Sequence, residues 1–157
     1  MSDDTPVARP GLVASVLLLY QGKFLIVQEG KKGYRGQWGL PGGRVHEGET
    51  FLEAAHREMT EETGFEIRPI GITRIMRYRS QIGSHVLRMN LVAEITGGSL
   101  RFDGLEILDA RWVTPEEFDS IPDAELRTPR AVRVAVDDLR AGRVYAMDVL
   151  WDDFGSE

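Results

Sequence analysis

The sequence predicts one α+β domain, on three observations. Residues 12–20 are almost wholly apolar, rich in Val and Leu, and run straight into Gln21-Gly22. A run this short before a Gly turn reads as a buried strand, with residues 23–28 as the returning strand of a hairpin. Between Thr50 and Gly64 the spacing changes to that of a helix, with Leu52, Ala55 and Met59 on one face. Two Thr-Pro pairs, Thr114-Pro115 and Thr128-Pro129, then read as helix starts late in the chain.

Residues 29–37 form a polar loop containing three Gly. Trp38-Gly39-Leu40-Pro41-Gly42-Gly43 follows, and its Pro and Gly exclude a regular helix. Thr50 and Glu53 have the spacing of a capping box, and Gly64 suits the left-handed residue that ends a helix. Residues 67–78 and 86–95 read as strands around a polar turn at 80–84, and Gly97-Gly98 breaks the chain again. Residues 110–113 form a short strand. Thr114 caps the next helix, with Pro115 first and Glu116 and Glu117 in the opening turn. The helix after Thr128-Pro129 presents Val132, Ala135, Val136 and Leu139 and stops at Gly142. No repeat or linker divides the chain. The expected organisation is a flexible tail over residues 1–8 and a single domain over 9–157.

A chain of 157 residues can bury a full core, roughly 70 % of its unfolded surface. Hydrophobic content of 42 % with 28 % charged residues fits a soluble domain. Cys is absent, which excludes disulfides and thiolate zinc sites and suits a reducing cytosol, so a cytoplasmic location is expected. No apolar run approaches the ~20 residues of a membrane span. Met1-Ser2-Asp3-Asp4-Thr5-Pro6 lacks the basic start and apolar centre of a signal peptide, so no membrane partner is expected. A net charge of −6 disfavours a nucleic-acid polymer as partner. Small phosphorylated compounds stay open, because divalent cations can lie between carboxylates and phosphates.

The chemistry concentrates in residues 43–65. Glu58, Glu61 and Glu62 are spaced i, i+3 and i+4, so on a helix their carboxylates share one face. Like charges so placed need a compensating cation, and clustered hard oxygen donors suit Mg²⁺ or Mn²⁺. Arg57, on a neighbouring face, can pair with Glu53 at i−4 and can reach Glu49. Gly42-Gly43 lets the backbone approach a metal or phosphate, with the Gly43 carbonyl as a further ligand. His46, His56 and His85 lack metal-ligand spacing, and Asp137-Asp138 and Asp152-Asp153 read as solvated charge.

Gly43, Glu49, Arg57, Glu58, Met59, Glu61, Glu62, Gly64 and Phe65 complete the pattern Gly-x5-Glu-x7-Arg-Glu-U-x-Glu-Glu-x-Gly-U, where U is bulky and apolar. The chain therefore resembles the Nudix hydrolases, MutT-like members in particular. The lead-in Trp38-x-Leu40-Pro41-Gly42-Gly43 and the later Glu106-x5-Trp112 extend the likeness over roughly residues 12–139. The resemblance implies an α/β/α sandwich with a mixed β-sheet and a loop–helix–loop catalytic motif. It implies that Leu52, Ala55 and Met59 pack the helix while Glu58, Glu61 and Glu62 face a cleft. It assigns the metal, Mg²⁺ or Mn²⁺, to Glu58, Glu61, Glu62 and the Gly43 carbonyl. Arg57 orients the glutamates and Glu49 anchors Arg57. Glu106, in competition with Asp103 and Asp109, is an outer ligand or base, so Glu61, Glu58, Arg57 and Glu106 make up the catalytic set. The implied reaction is attack of water on a phosphoanhydride, with Glu61 or Glu106 taking the proton.

For the substrate, Arg44 and Arg35 are candidate phosphate contacts, alongside Lys31, Lys32 and Arg77. Trp38 is a candidate for stacking on a base, as are Phe102, Trp151 and Phe154, while Trp112 is expected to pack in the sheet. No Pro lies between Pro69 and Pro115, so the proline that often marks ADP-ribose hydrolases is missing. The stretch from Gln28 to Trp38, Thr96-Gly97-Gly98 and Leu126-Arg127 look similar to MutT-like members. The expected partner is a small phosphorylated molecule. It is a nucleoside di- or triphosphate, oxidised guanine nucleotides included, or a nucleoside diphosphate linked to another moiety. The protein is expected to be a monomer or homodimer. Two alternatives stand beside this reading: a catalytically silent nucleotide-binding or regulatory module of the same fold, and a structural protein with an acidic helix.

Overall fold

The structure, a computed structural model, describes residues 4–153. Residues 1–3 of the expected tail and Phe154 lie outside the described residues. Strands β1 (Gly11–Tyr20) and β2 (Lys23–Glu29) form the expected hairpin. Gln21 and Gly22 both adopt positive φ, 51° and 75°, the turn whose twist suits paired strands. Next come β3 (Trp38–Gly39), β4 (Gly42–Arg44) and α1 (Phe51–Thr63). The long pair β5 (Phe65–Arg79) and β6 (His85–Gly98) precedes β7 (Ile107–Val113), α2 (Pro115–Asp119) and α3 (Pro129–Arg140).

One seven-stranded sheet has the order β3-β2-β1-β6-β5, with β4 joined to β1 and β7 to β2. β1 and β6 run parallel and the other pairs antiparallel, so the sheet is mixed. On its second edge β1 meets β2 only at Leu19–Phe24 and Tyr20–Lys23, then pairs with β4 at Val13, Ala14 and Ser15. The sheet thus forks, and the Gly42-Gly43 segment occupies the fork.

Both faces of the sheet are covered, which explains why β1 reads as one continuous apolar run. Val16 and Leu18 pack with Ala54, Ala55 and Met59 of α1. Leu17 points the other way, into a core with Phe118, Val132, Ala135 and Val136 of α2 and α3. This is the expected α/β/α sandwich. Among the described residues no helix is long and apolar enough to cross a membrane.

Several local expectations need correction. Gly97-Gly98 does not break the chain: β6 continues through both, opposite Glu66 and Phe65. A Cβ at Gly98 would lie 2.1 Å from the Gly64 carbonyl oxygen, so this Gly permits a close strand crossing. Thr114 caps α2 in a full capping box with Glu117, but Thr128 sits at φ 49° and makes no side-chain cap to α3. Asp138 is not solvated. Its side chain is fully buried and accepts from Arg74 Nε and Nη2 at 2.6 and 2.7 Å and from Arg143 Nη1 at 3.3 Å. Asp152 accepts a hydrogen bond from the Phe51 amide, at an otherwise open donor in the first turn of α1.

Candidate active site

Helix α1 begins with the Thr50–Glu53 capping box and ends at Gly64 with φ 76°. Its buried face includes not only Ala54, Ala55 and Met59 but also Glu58 and Glu62. The three carboxylates are therefore unequal in their access to solvent. Glu58 and Glu62 are 9 % and 6 % exposed, whereas the Glu61 side chain is 57 % exposed. The cause is β4, which folds back over the helix.

Its two glycines let carboxylates lie against backbone. The Gly42 amide donates to Glu62 Oε2 at 2.9 Å. A Cβ on Gly43 would sit 2.5 Å from Glu58 Oε1, closer than van der Waals contact allows. Gly43→Ala should push the flexible end of Glu58 aside and destabilise the fold by only about 1 kcal/mol, the lower end of what overpacking costs. Chemical denaturation checks this, and a midpoint equal to wild type or a loss of several kcal/mol refutes it.

Arg57 is the hub of the helix surface. Its Nε and Nη2 donate to Glu49 at 2.7 and 2.9 Å, and Nη2 also reaches the Arg44 carbonyl at 2.9 Å. Nη1 donates to Glu58 at 2.8 Å and Glu61 at 3.3 Å. The expected pairing with Glu53 is not made, because Glu53 is engaged in the capping box. The Arg57 hydrogen bond holds the Glu49 carboxyl down at about 2 against an ordinary 4.5, with burial opposing it. A depressed folded-state value stabilises above the ordinary one and fades as pH falls through it. Glu49→Gln should therefore cost about 2 kcal/mol near neutrality. Denaturation of wild type and variant at falling pH should show that gap closing between 4.5 and about 2.

Glu62 is pushed the other way, up to about 8, chiefly by burial; the Gly42 amide and Arg127 oppose the shift, and Glu58 and Glu29 add to it. Glu29 and Arg127 are the residues sequence reasoning missed. Glu29, expected in a polar loop, is the buried last residue of β2 and accepts from Arg127 Nη1 at 2.6 Å. Arg127 also donates to the Leu40 carbonyl at 3.0 Å and passes close to Gly39, where a Cβ would come within 3.2 Å of it. The missing Cβ at Gly39 and the likeness at Leu126-Arg127 were the available signals.

The remaining candidates separate. Glu106 is exposed, 3.8 Å from Lys31 Nζ, and does not join the α1 carboxylates. Asp103 is tied to the amides of Leu105, Glu106 and Ile107. Arg44 and Arg35 are exposed, and Arg35 bonds the Gly30 carbonyl. Trp38 cannot stack on a base as expected: it is 4 % exposed in the second core, with the Arg111 guanidinium 4.4 Å from its ring. Trp112 packs against Tyr20 and Phe65 as expected. Among the described residues no three acidic or His side chains converge closely enough to grip a metal ion as they stand.

A family model for the NUDIX domain matches residues 9–134. The chain belongs to the NUDIX family. A NUDIX hydrolase from Nitrosomonas europaea is similar in structure, with a TM-score of 0.84 and 27 % identity over 94 % of this chain and all of that one. Phosphatase NudJ of Escherichia coli is 28 % identical to this NUDIX chain over 145 residues, 92 % of each. The 8-oxo-dGDP phosphatase NUDT18 of Danio rerio is 36 % identical over 104 residues, 64 % of this chain. The match spans only 31 % of that longer protein.

Proposed function

We propose that this NUDIX chain is a divalent-metal-dependent pyrophosphohydrolase acting on a small nucleotide. The observation that carries the reading is the seating of Glu58 and Glu62 against the Gly42-Gly43 backbone, beside the exposed Glu61. The donor set fits a hard cation. Glu62 is a carboxyl raised chiefly by its burial, and Gly43 leaves a cradle that a Cβ would fill. Glu58, Glu61, Glu62 and the Gly43 carbonyl would hold Mg²⁺, with Mn²⁺ as the alternative. Bound there, the ion supplies charge neutralisation for the phosphates and a more acidic water. Arg57 orients Glu58 and Glu61 through the bonds described. Glu61, the most exposed of the three α1 carboxylates, takes the proton from the attacking water. Arg44 and Arg35 offer exposed guanidiniums to the outer phosphates.

The preferred substrate is a nucleoside di- or triphosphate, with oxidised guanine nucleotides foremost. The name of the NUDT18 relative supports the diphosphate, and the missing proline disfavours ADP-ribose. The test is a panel of plain and 8-oxo nucleoside di- and triphosphates, ADP-ribose and dinucleoside polyphosphates, with Mg²⁺ and with chelator. Activity confined to the last two classes overturns the substrate assignment. Nucleotide binding without any hydrolysis establishes the silent binding module instead.

A further inference from the structure

The segment from Trp38 to Gly43 changes partner part-way along. Trp38 and Gly39 pair with Gln28 and Val27 of β2. From Pro41 onward the partner is β1: the Val16 amide donates to the Pro41 carbonyl at 2.9 Å, and Gly42 and Gly43 lie opposite Ser15 and Ala14. Leu40 is the crossing, outside both β3 and β4, and it is fully buried. Backbone that leaves the ladder inside the protein needs its hydrogen-bond partners from elsewhere.

Arg127 supplies the donor at this crossing. Its Nη2 reaches the Leu40 carbonyl at 3.0 Å, and its backbone amide donates to the Trp38 carbonyl at 2.8 Å. It thus grips the segment on both sides of Gly39, where a Cβ would stand 3.2 Å from its Nε. Its other prong, Nη1, is fixed to Glu29 Oε2 at 2.6 Å. Glu29 is a firm anchor, buried at the end of β2, with its Oε1 accepting from the Lys31 amide at 3.1 Å. A guanidinium presents its donors as a rigid planar fork, so one side chain holds both acceptors at a set separation. Two residues beyond Leu40, the Gly42 amide meets Glu62 Oε2 at 2.9 Å.

We propose that Arg127 is a positioning residue of the hydrolytic site. It pins the segment where it crosses from β2 to β1, and so places the Gly42 amide and the Gly43 carbonyl against the carboxylates of α1. The inference rests on the reading of α1 as a metal platform. An ion pair that only stabilised the fold would need Glu29 alone; the bond to the Leu40 carbonyl is what ties Arg127 to the Gly42-Gly43 turn. Without the pin the turn keeps its pairing with β1 but gains play, and a metal ion meets ligands that are less well held.

Three variants test this. Arg127→Lys keeps a cation beside Glu29 but gives up the planar fork. Arg127→Met combined with Glu29→Gln removes the pair without leaving a buried charge alone. Asp138→Ala, in α3, is the control for lost stability. In chelator, amide hydrogen exchange at Gly42 is compared with that at Leu91 in β6. Global loss of stability does not raise this ratio, whereas local opening of the turn should raise it about tenfold in both Arg127 variants. In the second arm Mn²⁺ binding is followed by electron paramagnetic resonance. The dissociation constant should rise about tenfold in both Arg127 variants and stay at the wild-type value in the control. An unchanged exchange ratio or an unchanged constant overturns the proposal. So does an equal weakening in Asp138→Ala, because Arg127 then acts through stability. An effect confined to the double variant also overturns it, since the charge pair alone then matters. Should wild type bind no Mn²⁺, the metal reading of α1 fails. The exchange ratio then decides by itself whether Arg127 pins the turn.

Discussion

Glu62→Gln is expected to abolish hydrolysis, by about a thousandfold or more, while leaving the metal-free fold intact or improving it. The two halves of that result have separate causes. Glu62 is buried against the Gly42 amide, and its carboxyl is raised to about 8, so at neutral pH the metal-free protein holds it mostly protonated. Gln is close in shape to that neutral form and keeps an oxygen for the Gly42 amide. A carboxyl whose folded value is raised stabilises below its ordinary 4.5 and loses that contribution as pH climbs towards 8. The variant carries no such loss. In chelator, its melting temperature should match wild type near pH 5 and exceed it near pH 9. The amide, however, brings no negative charge to a cation, so Mg²⁺-dependent turnover should collapse. A variant that loses stability in step with activity would show Glu62 to be structural.

Asp138→Ala is expected to have the largest effect on stability alone, about 2–3 kcal/mol. The buried carboxylate accepts two short bonds from Arg74 on β5 and one from Arg143 beyond α3. Removing it unties α3 from the edge of the sheet. The loss falls short of a fully buried pair, because Arg74 and Arg143 are partly exposed and can rehydrate. For a domain of this size the melting temperature should fall by roughly 5–10 °C. Asp138→Asn keeps an acceptor and should fall about half as far. An unchanged melting temperature for the Ala variant would mean that this ion pair contributes nothing net.

These two residues show where the sequence is legible. Helix α1 can be read with its caps because Thr50, Glu53 and Gly64 act on neighbours within a turn or two. The direction in which Glu58 and Glu62 point cannot. It depends on β4 folding back, through the pairing of Ser15 with Gly42, over a helix that the local pattern treats as free. Trp38 eludes the local pattern for the same reason: its cover, Arg111, is distant in sequence. Glu29 and Arg127 stand 98 positions apart and meet only once the fold is complete. Asp138 reads as solvated charge beside Asp137, and only the partner across the sheet makes it a buried anchor. Thr128 follows the rule for a helix cap and departs from it because its backbone is left-handed, φ 49°, where Thr50 and Thr114 are extended.

The fork in the sheet has a mechanical consequence. β1 is stitched to β6 over nine residue pairs but to β2 by only two, next to the Gln21-Gly22 turn. The half carrying β2, β3 and β7 is therefore joined to the other half of the sheet like one arm of a pair of tongs. Glu29 rides on that arm, while Gly42 is stitched to the other half. The Glu29–Arg127 pair and Glu62 thus belong to opposite arms of the fork, and packing between the arms keeps them in register.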